Sequence, residues 1–396
     1  MKLLIRSLLL KKKVNKKNVF YFSLDRIENF NQLYELLTCL FRNRRPASKN
    51  ERLYLFLDEI SFVREWQRGI KALADEGRLK NTTVLLTGAN LLDVREGTER
   101  LPGRRGKLAK LDYEQLPLTF AEFIQLKEPD IELNSQESLL FHQDLLLYRF
   151  DDFLLTGGFL PAINQLKKTG RIPSWIYQLY LSWIEGDIGR AGKLERNLYQ
   201  IAGRILEHHT TPVSWLSIAR ESGITSHATV QEYVEILEKM YVLQVTPFLD
   251  LSTQTPKYRK NRKIYFQDPL IFHCFSGKNN SIGDNFYFES KRLLNNPQDK
   301  SKLVEAVVGA HIKRYLGECY YWQGKKEIDF LARQHQKIMY VEVKYQGQIK
   351  PSDFNWCSNI LPGKNKLVVA TKHQFLQRKD LCLIPVPLFL IQISSM

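Results

Sequence analysis

Leu53-Tyr54-Leu55-Phe56-Leu57-Asp58-Glu59 is the stretch on which the reading of this chain turns. Five apolar or β-prone residues ending in two adjacent carboxylates describe a buried parallel strand that delivers acids to its C-terminal edge. A second apolar run, Val84-Leu85-Leu86-Thr87, follows and ends in Gly88-Ala89-Asn90. The pattern before and between them predicts a helix over 2–12, a strand over 19–24, a helix over 27–41 and a helix over 63–76. Alternation of this kind implies parallel strands joined by helical crossovers. A loop rich in Gly, Arg and Lys spans 101–107, and a last strand is expected near 111–116. Beyond Pro117, Thr119 is placed to cap a new helix with Glu122 closing the capping box.

The 396 residues are too many for one core and predict a multidomain α/β protein. The formal net charge is +16, and the first 50 residues alone hold 12 Lys/Arg against 3 Asp/Glu. A polyanion partner, nucleic acid or nucleotide, is the natural expectation. Cys39, Cys274, Cys319, Cys357 and Cys382 are scattered with no C-x-x-C, which predicts reduced thiols in a cytoplasmic protein. No apolar run approaches a membrane span. Residues 1–10 are interrupted by Arg6 and followed by Lys11-Lys12-Lys13, so they read as an amphipathic helix and not as a signal sequence.

Four segments emerge: 1–120, the strand–helix alternation; 121–190, largely helical; 191–270, three helices and a hairpin; and 290–396, a second α/β region. In the helical segment, Trp175, Tyr177, Tyr180 and Trp183 stand at helical spacing and read as packing residues. In the third, helices over 194–209, 214–222 and 226–240, with a turn at Gly223-Ile224, fit a helix-turn-helix. Strands over 241–247 and 263–267 would make a wing. The run between them, Lys257-Tyr258-Arg259-Lys260-Asn261-Arg262-Lys263, holds five basic residues and suits phosphate contacts. The exposed start of the last helix offers Thr225, Ser226, His227 and Thr229. DNA is the expected partner; protein docking and a homo-oligomer are the other uses of such a module.

The last segment carries a second constellation. Glu305 lies in a helix over 303–316, and a turn at Gly324 leads into Glu327-Ile328-Asp329-Phe330-Leu331. In Val341-Glu342-Val343-Lys344, alternation puts Glu342 and Lys344 on one strand face. A helical carboxylate, a strand carboxylate and an acid-x-Lys pair are what a Mg²⁺- or Mn²⁺-dependent phosphodiesterase needs. Asp329 and Glu342 would hold the metal, with Lys344 stabilising charge or activating water. The simpler alternative is a salt-bridged strand face.

Taken in order along the chain, these stretches resemble a mainly archaeal family of AAA-type, P-loop-class ATPases with a winged helix and a C-terminal PD-(D/E)xK restriction-nuclease-like domain. The resemblance also rests on Thr156-Gly157-Gly158-Phe159-Leu160-Pro161 and Lys263-Ile264-Tyr265-Phe266-Gln267-Asp268-Pro269. It implies an incomplete parallel-sheet P-loop ATPase core, a helical lid subdomain, a winged helix and a nuclease-like α/β domain. By the same resemblance Asp58 is the Walker B acid on the Mg²⁺ of ATP, and Glu59 positions the attacking water. Asn90 falls at the sensor of the γ-phosphate, and Arg104 or Arg105 meets a phosphate in cis or in a neighbouring subunit. Glu305, Asp329, Glu342 and Lys344 match the nuclease-type motif. One departure is large: no G-x-x-x-x-G-K-[S/T] occurs in the 396 residues. Either a gene start lying further upstream or a degenerate relative accounts for that. The expected functions are an ATPase-family protein without its Walker A, a metal-dependent DNA endonuclease with a vestigial ATPase module, or a non-enzymatic DNA-binding regulator.

Overall fold

The computed structural model describes residues 1–43, 51–88, 101–106, 111–280, 285–334, 337–361 and 366–395. These form two compact units, 1–114 and 115–396, and each is taken by itself.

In the first unit, strands β1 (Val19–Ser23), β2 (Leu53–Asp58) and β3 (Thr82–Leu86) lie side by side, all parallel, with β2 in the middle. Helices Phe30–Asn43 and Trp66–Asp75 make the crossovers. Leu33 and Leu37 of one helix and Ile70 and Leu73 of the other bury against Leu55 and Leu57 of β2. That packing explains the continuous apolar run of β2, as a strand covered on its faces needs no polar alternation. Helix Lys2–Leu10 buries none of its residues. The expected strand over 111–116 does not form: those residues take no regular structure. Asn90, expected as the γ-phosphate sensor, lies outside the described residues.

The largest core of the second unit runs from Phe120 to Ile393 and includes helical, hairpin and sheet residues, with two smaller clusters beside it. It opens with helix Phe120–Lys127, whose start is the expected capping box. Thr119 Oγ1 accepts from the Glu122 amide, and the Glu122 carboxylate accepts from the Thr119 amide. Tyr177 and its helix neighbours pack inside, whereas Trp175 is exposed. Three helices, Glu195–Glu207, Trp215–Ser222 and His227–Lys239, precede an antiparallel pair, β4 (Leu243–Pro247) and β7 (Arg262–Phe266). The connection holds a further short pair, β5 (Leu249–Asp250) and β6 (Thr255–Pro256), so the loop is more structured than a simple wing turn.

Helix Pro297–Leu316 then leads into a six-stranded mixed sheet. Its members are β8 (Glu318–Gln323), β9 (Glu327–Gln334), β10 (Lys337–Lys344), β11 (Leu367–Thr371), β12 (Leu376–Gln377) and β13 (Leu381–Pro385), in the order β12-β13-β11-β10-β9-β8. The first three form an antiparallel meander, while β10, β11 and β13 run parallel. Among the described residues, no helix is long and apolar enough to cross a membrane.

Candidate active site: a carboxylate–lysine pocket in the second unit

Three strands and one helix each present a functional side chain to the same pocket of about 310 Å³. Strand parity does most of the placing. Glu327 and Asp329 share a face of β9, Glu342 and Lys344 a face of β10, and Lys263 and Tyr265 a face of β7; Glu305 comes from helix Pro297–Leu316. Thr210, Thr211, Pro212 and Gln323 complete the lining. All four residues carried over as the nuclease motif are therefore brought together.

The β9–β10 ladder runs to the Val341–Phe330 pair. Beyond it, carboxylates take over the backbone donors. The Val343 amide donates to Asp329 Oδ2 at 2.9 Å, and the Asp329 amide donates to Glu342 Oε2 at 3.2 Å. Each acid is thus held by the strand that carries the other. Lys344 Nζ closes on Glu342 Oε1 at 2.5 Å.

Lys263 corrects the sequence reading. It was assigned to the phosphate-contacting run, yet it is 1% exposed and sits inside the acid cluster. Its ammonium lies 3.0 Å from Glu305 Oε1, 2.8 Å from Asp329 Oδ1 and 2.5 Å from Glu327 Oε1. The Tyr265 hydroxyl donates to Glu305 Oε1 at 2.8 Å. Glu327 and Tyr265 are site residues that the sequence reading missed, although both stand two positions from a named residue on the same strand face. Arg262 is also withdrawn from solvent. It donates to the Tyr258 and Lys260 carbonyls at 2.9 and 2.6 Å and stacks on Trp215, so it braces the loop from below. Lys257, Arg259 and Lys260 remain at the surface beside Phe248 and Asp250. Ser226 spends its hydroxyl as a helix cap on the Ala228 amide, while His227 is exposed.

Four carboxylates face two ammonium groups here, and the electrostatics follow from that imbalance. Burial first, then the charge of Asp329, pushes Glu305 up to about 7 and Glu342 up to about 8, against the pull of the lysines. Burial opposes the charge on Lys263, but Tyr265, Asp329, Glu305 and Glu327 together raise it well above the ordinary lysine value. Lys263 keeps its proton, and the acids around it are short of positive charge. Among the described residues no group of three or more acid, His or Cys side chains is placed to hold a metal ion, so the acids expected to converge as metal ligands here hold ammonium and amide hydrogens instead.

The first unit has a smaller polar cluster. Asp58, at the end of β2, accepts from Tyr21 at 2.7 Å and from Thr87. Burial works to raise Asp58, but the hydroxyls of Thr87 and Tyr21 outweigh it and leave the carboxyl below its ordinary value. Glu59 adopts a left-handed backbone at φ 59°. Arg104 pairs with Asp75 at 2.6 Å, and Arg105 pairs with Asp112. Both arginines are thus engaged by acids of their own unit. A nucleotide needs a backbone N–H cradle and a lysine for its phosphates, and the sequence carries no G-x-x-x-x-G-K-[S/T] to supply them. ATP turnover by this chain is expected to be no faster than that of a Glu59→Gln variant. Turnover that depends on Glu59 would show that another loop makes the cradle.

Comparison with known proteins agrees with the two-unit organisation. Residues 1–124 match the family model described as AAA domain, which supports an AAA ATPase-like domain at the N-terminal end. Residues 147–281 match a domain of unknown function (DUF8612), and 300–389 another (DUF4143). An uncharacterized protein of Haemophilus influenzae is 26% identical over 321 residues, covering 78% of this chain and 69% of that protein. The uncharacterized protein MJ1637 of Methanocaldococcus jannaschii is 24% identical over 277 residues, 64% of this chain and 55% of its own length. The crystal structure of protein VC1899 from Vibrio cholerae aligns with 96% of this chain and 97% of its own at 12% identity, with a TM-score of 0.21. That score is too low to bear on the fold.

Proposed function

We propose that the second unit is a divalent-metal-dependent phosphodiesterase acting on nucleic acid, attached to an AAA-type module. One observation carries the reading: Glu305, Asp329, Glu342 and Lys344, from a helix and two adjacent strands, converge in a single pocket. The donor set suits a hard divalent cation, since it is all carboxylate oxygen and short of positive charge. Asp329 and Glu342 would hold the ion, with Glu305 on the opposite wall. A bound Mg²⁺ or Mn²⁺ would supply Lewis-acid polarisation of a phosphodiester oxygen and an activated water. Lys344, the more exposed of the two lysines, faces the pocket, where its ammonium can meet a phosphate oxygen. The surface residues Arg259 and Lys260, with Lys257 in a long 3.9 Å pair to Asp250, support a polyanionic substrate, as they add positive charge on the same unit.

Metal binding is the first test. Four carboxylates face only two ammonium groups, so Mn²⁺ that binds the folded chain should stabilise it. At millimolar Mn²⁺ the wild type is expected to gain several degrees in Tm, and Asp329→Asn to gain little. An equal gain in both would leave the pocket without a metal and remove the nuclease reading.

A further inference from the structure

Lys263 is the buried cation of this pocket, and it does not belong to the sheet that carries the acids. It stands on β7, which pairs with β4 and, through the Val213–Arg262 bridge, with the segment preceding helix Trp215–Ser222. Glu327, Asp329, Glu342 and Lys344 stand on β9 and β10. The hairpin rests on the rim of the sheet through the Phe248–Tyr321 bridge, the Tyr321 hydroxyl donating to the Asn261 carbonyl at 2.7 Å, Arg333 donating to the Gln254 carbonyl at 2.6 Å, and Leu249 packed with Tyr320 and Ile328.

The acids are divided in how they use their oxygens. Asp329 Oδ2 and Glu342 Oε2 are committed to amides of the sheet, while Glu342 Oε1 is held by the part-exposed Lys344 and would join an ion once that ammonium turns to a phosphate. Of the oxygens left to face the pocket, Asp329 Oδ1, Glu305 Oε1 and Glu327 Oε1 close on one nitrogen, Lys263 Nζ. Three anionic oxygens from three residues around a single positive atom is the arrangement a divalent ion would take up, at shorter distances. A lysine buried in this way is costly to strand without partners and strongly held with them.

We propose that Lys263 is a built-in competitor for the metal: its ammonium occupies the divalent-cation position, so the ion binds only by displacing it. This rests on the metal reading of the pocket given above. Metal loading is then coupled to the hairpin that carries Lys263, because its ammonium must leave the carboxylates of β9 and of helix Pro297–Leu316.

Mn²⁺ affinity of the full chain, followed by electron paramagnetic resonance titration, tests this directly. Lys263→Met should bind Mn²⁺ about tenfold or more tightly than the wild type, since the competing charge is gone. Lys263→Arg, which keeps the charge, should bind no more tightly than the wild type. A Lys263→Met protein that binds Mn²⁺ no better than the wild type overturns the proposal and leaves the metal site standing. Absence of Mn²⁺ binding in the wild type and the variant alike removes the metal site itself, and the competitor with it. Should Lys263→Met fail to fold, amine acetylation of the wild type, read residue by residue by mass spectrometry, decides. Lys263 should become reactive at saturating Mn²⁺, and unchanged protection of Lys263 alongside bound Mn²⁺ overturns the proposal.

Discussion

Gly158→Ala is expected to destabilise the second unit by more than about 3 kcal/mol, lowering its Tm by on the order of 10 °C. The cause is backbone against backbone. A Cβ on Gly158 would overlap the amide and carbonyl of Leu118, where no side chain can yield by changing rotamer. The contact is part of a clasp. Leu118 donates its amide to the Gly158 carbonyl at 2.9 Å, and Gly158 donates its own to Asp268 Oδ2 at 2.9 Å. Asp268 Oδ1 in turn accepts from Leu270 at 2.7 Å and starts helix Pro269–Asn279. The clasp therefore joins the approach to the first helix, the break after helix Gln143–Thr156 and the end of the hairpin. Gly186→Ala is the matching control. Gly186 lies inside a helix with open space where its Cβ would go, so that change should be neutral or stabilise by about 0.5–1 kcal/mol. Thermal denaturation of the two variants separates them; similar Tm values would mean the clasp yields.

The second large effect belongs to the pocket. If the reading of the C-terminal unit is right, Glu342→Gln and Lys344→Ala should each lower Mn²⁺-dependent cleavage of duplex DNA roughly a hundredfold or more. The two act differently. Glu342→Gln removes an anionic ligand while preserving shape and the bond from the Asp329 amide, so metal affinity should fall with the rate. Lys344→Ala leaves the carboxylates in place, and metal affinity should hold or rise while cleavage falls. Equal loss of metal in both variants would assign Lys344 to fold maintenance.

Local signals were the most legible in the sequence. The Thr119–Glu122 capping box formed as written because both partners lie within one turn and no distant contact competes. The three parallel strands of the first unit were legible for a related reason: β2 is apolar throughout and ends in acids, a pattern with few alternatives. Glu342 and Lys344 came out on one face because strand parity is fixed by the backbone. What failed was the basic run. Lys257 to Lys263 reads as one solvated stretch, but β7 begins at Arg262. From that point alternation turns Lys263 inward beside Tyr265, towards acids 42 to 66 residues further along. Nothing local marks that change, since the partners are brought in by tertiary structure. The expected strand at 111–116 does not form: three of its six residues, Asp112, Glu114 and Gln115, are polar, residues 112–115 are exposed, and Asp112 pairs with Arg105. Gly158 and Asp268 entered the sequence reading with no contact assigned to either, and the clasp now gives them a physical reason.

One measurement bears most directly on the central claim, that the carboxylate–lysine pocket performs metal-dependent phosphodiester chemistry. Linear duplex DNA is incubated with the full chain in Mn²⁺, with wild type, Asp329→Asn and Glu342→Gln compared at matched fold stability. The account predicts cleavage by the wild type that disappears on chelation and in both variants. Cleavage that survives in both variants, or none from a wild-type chain shown to bind Mn²⁺, would contradict it.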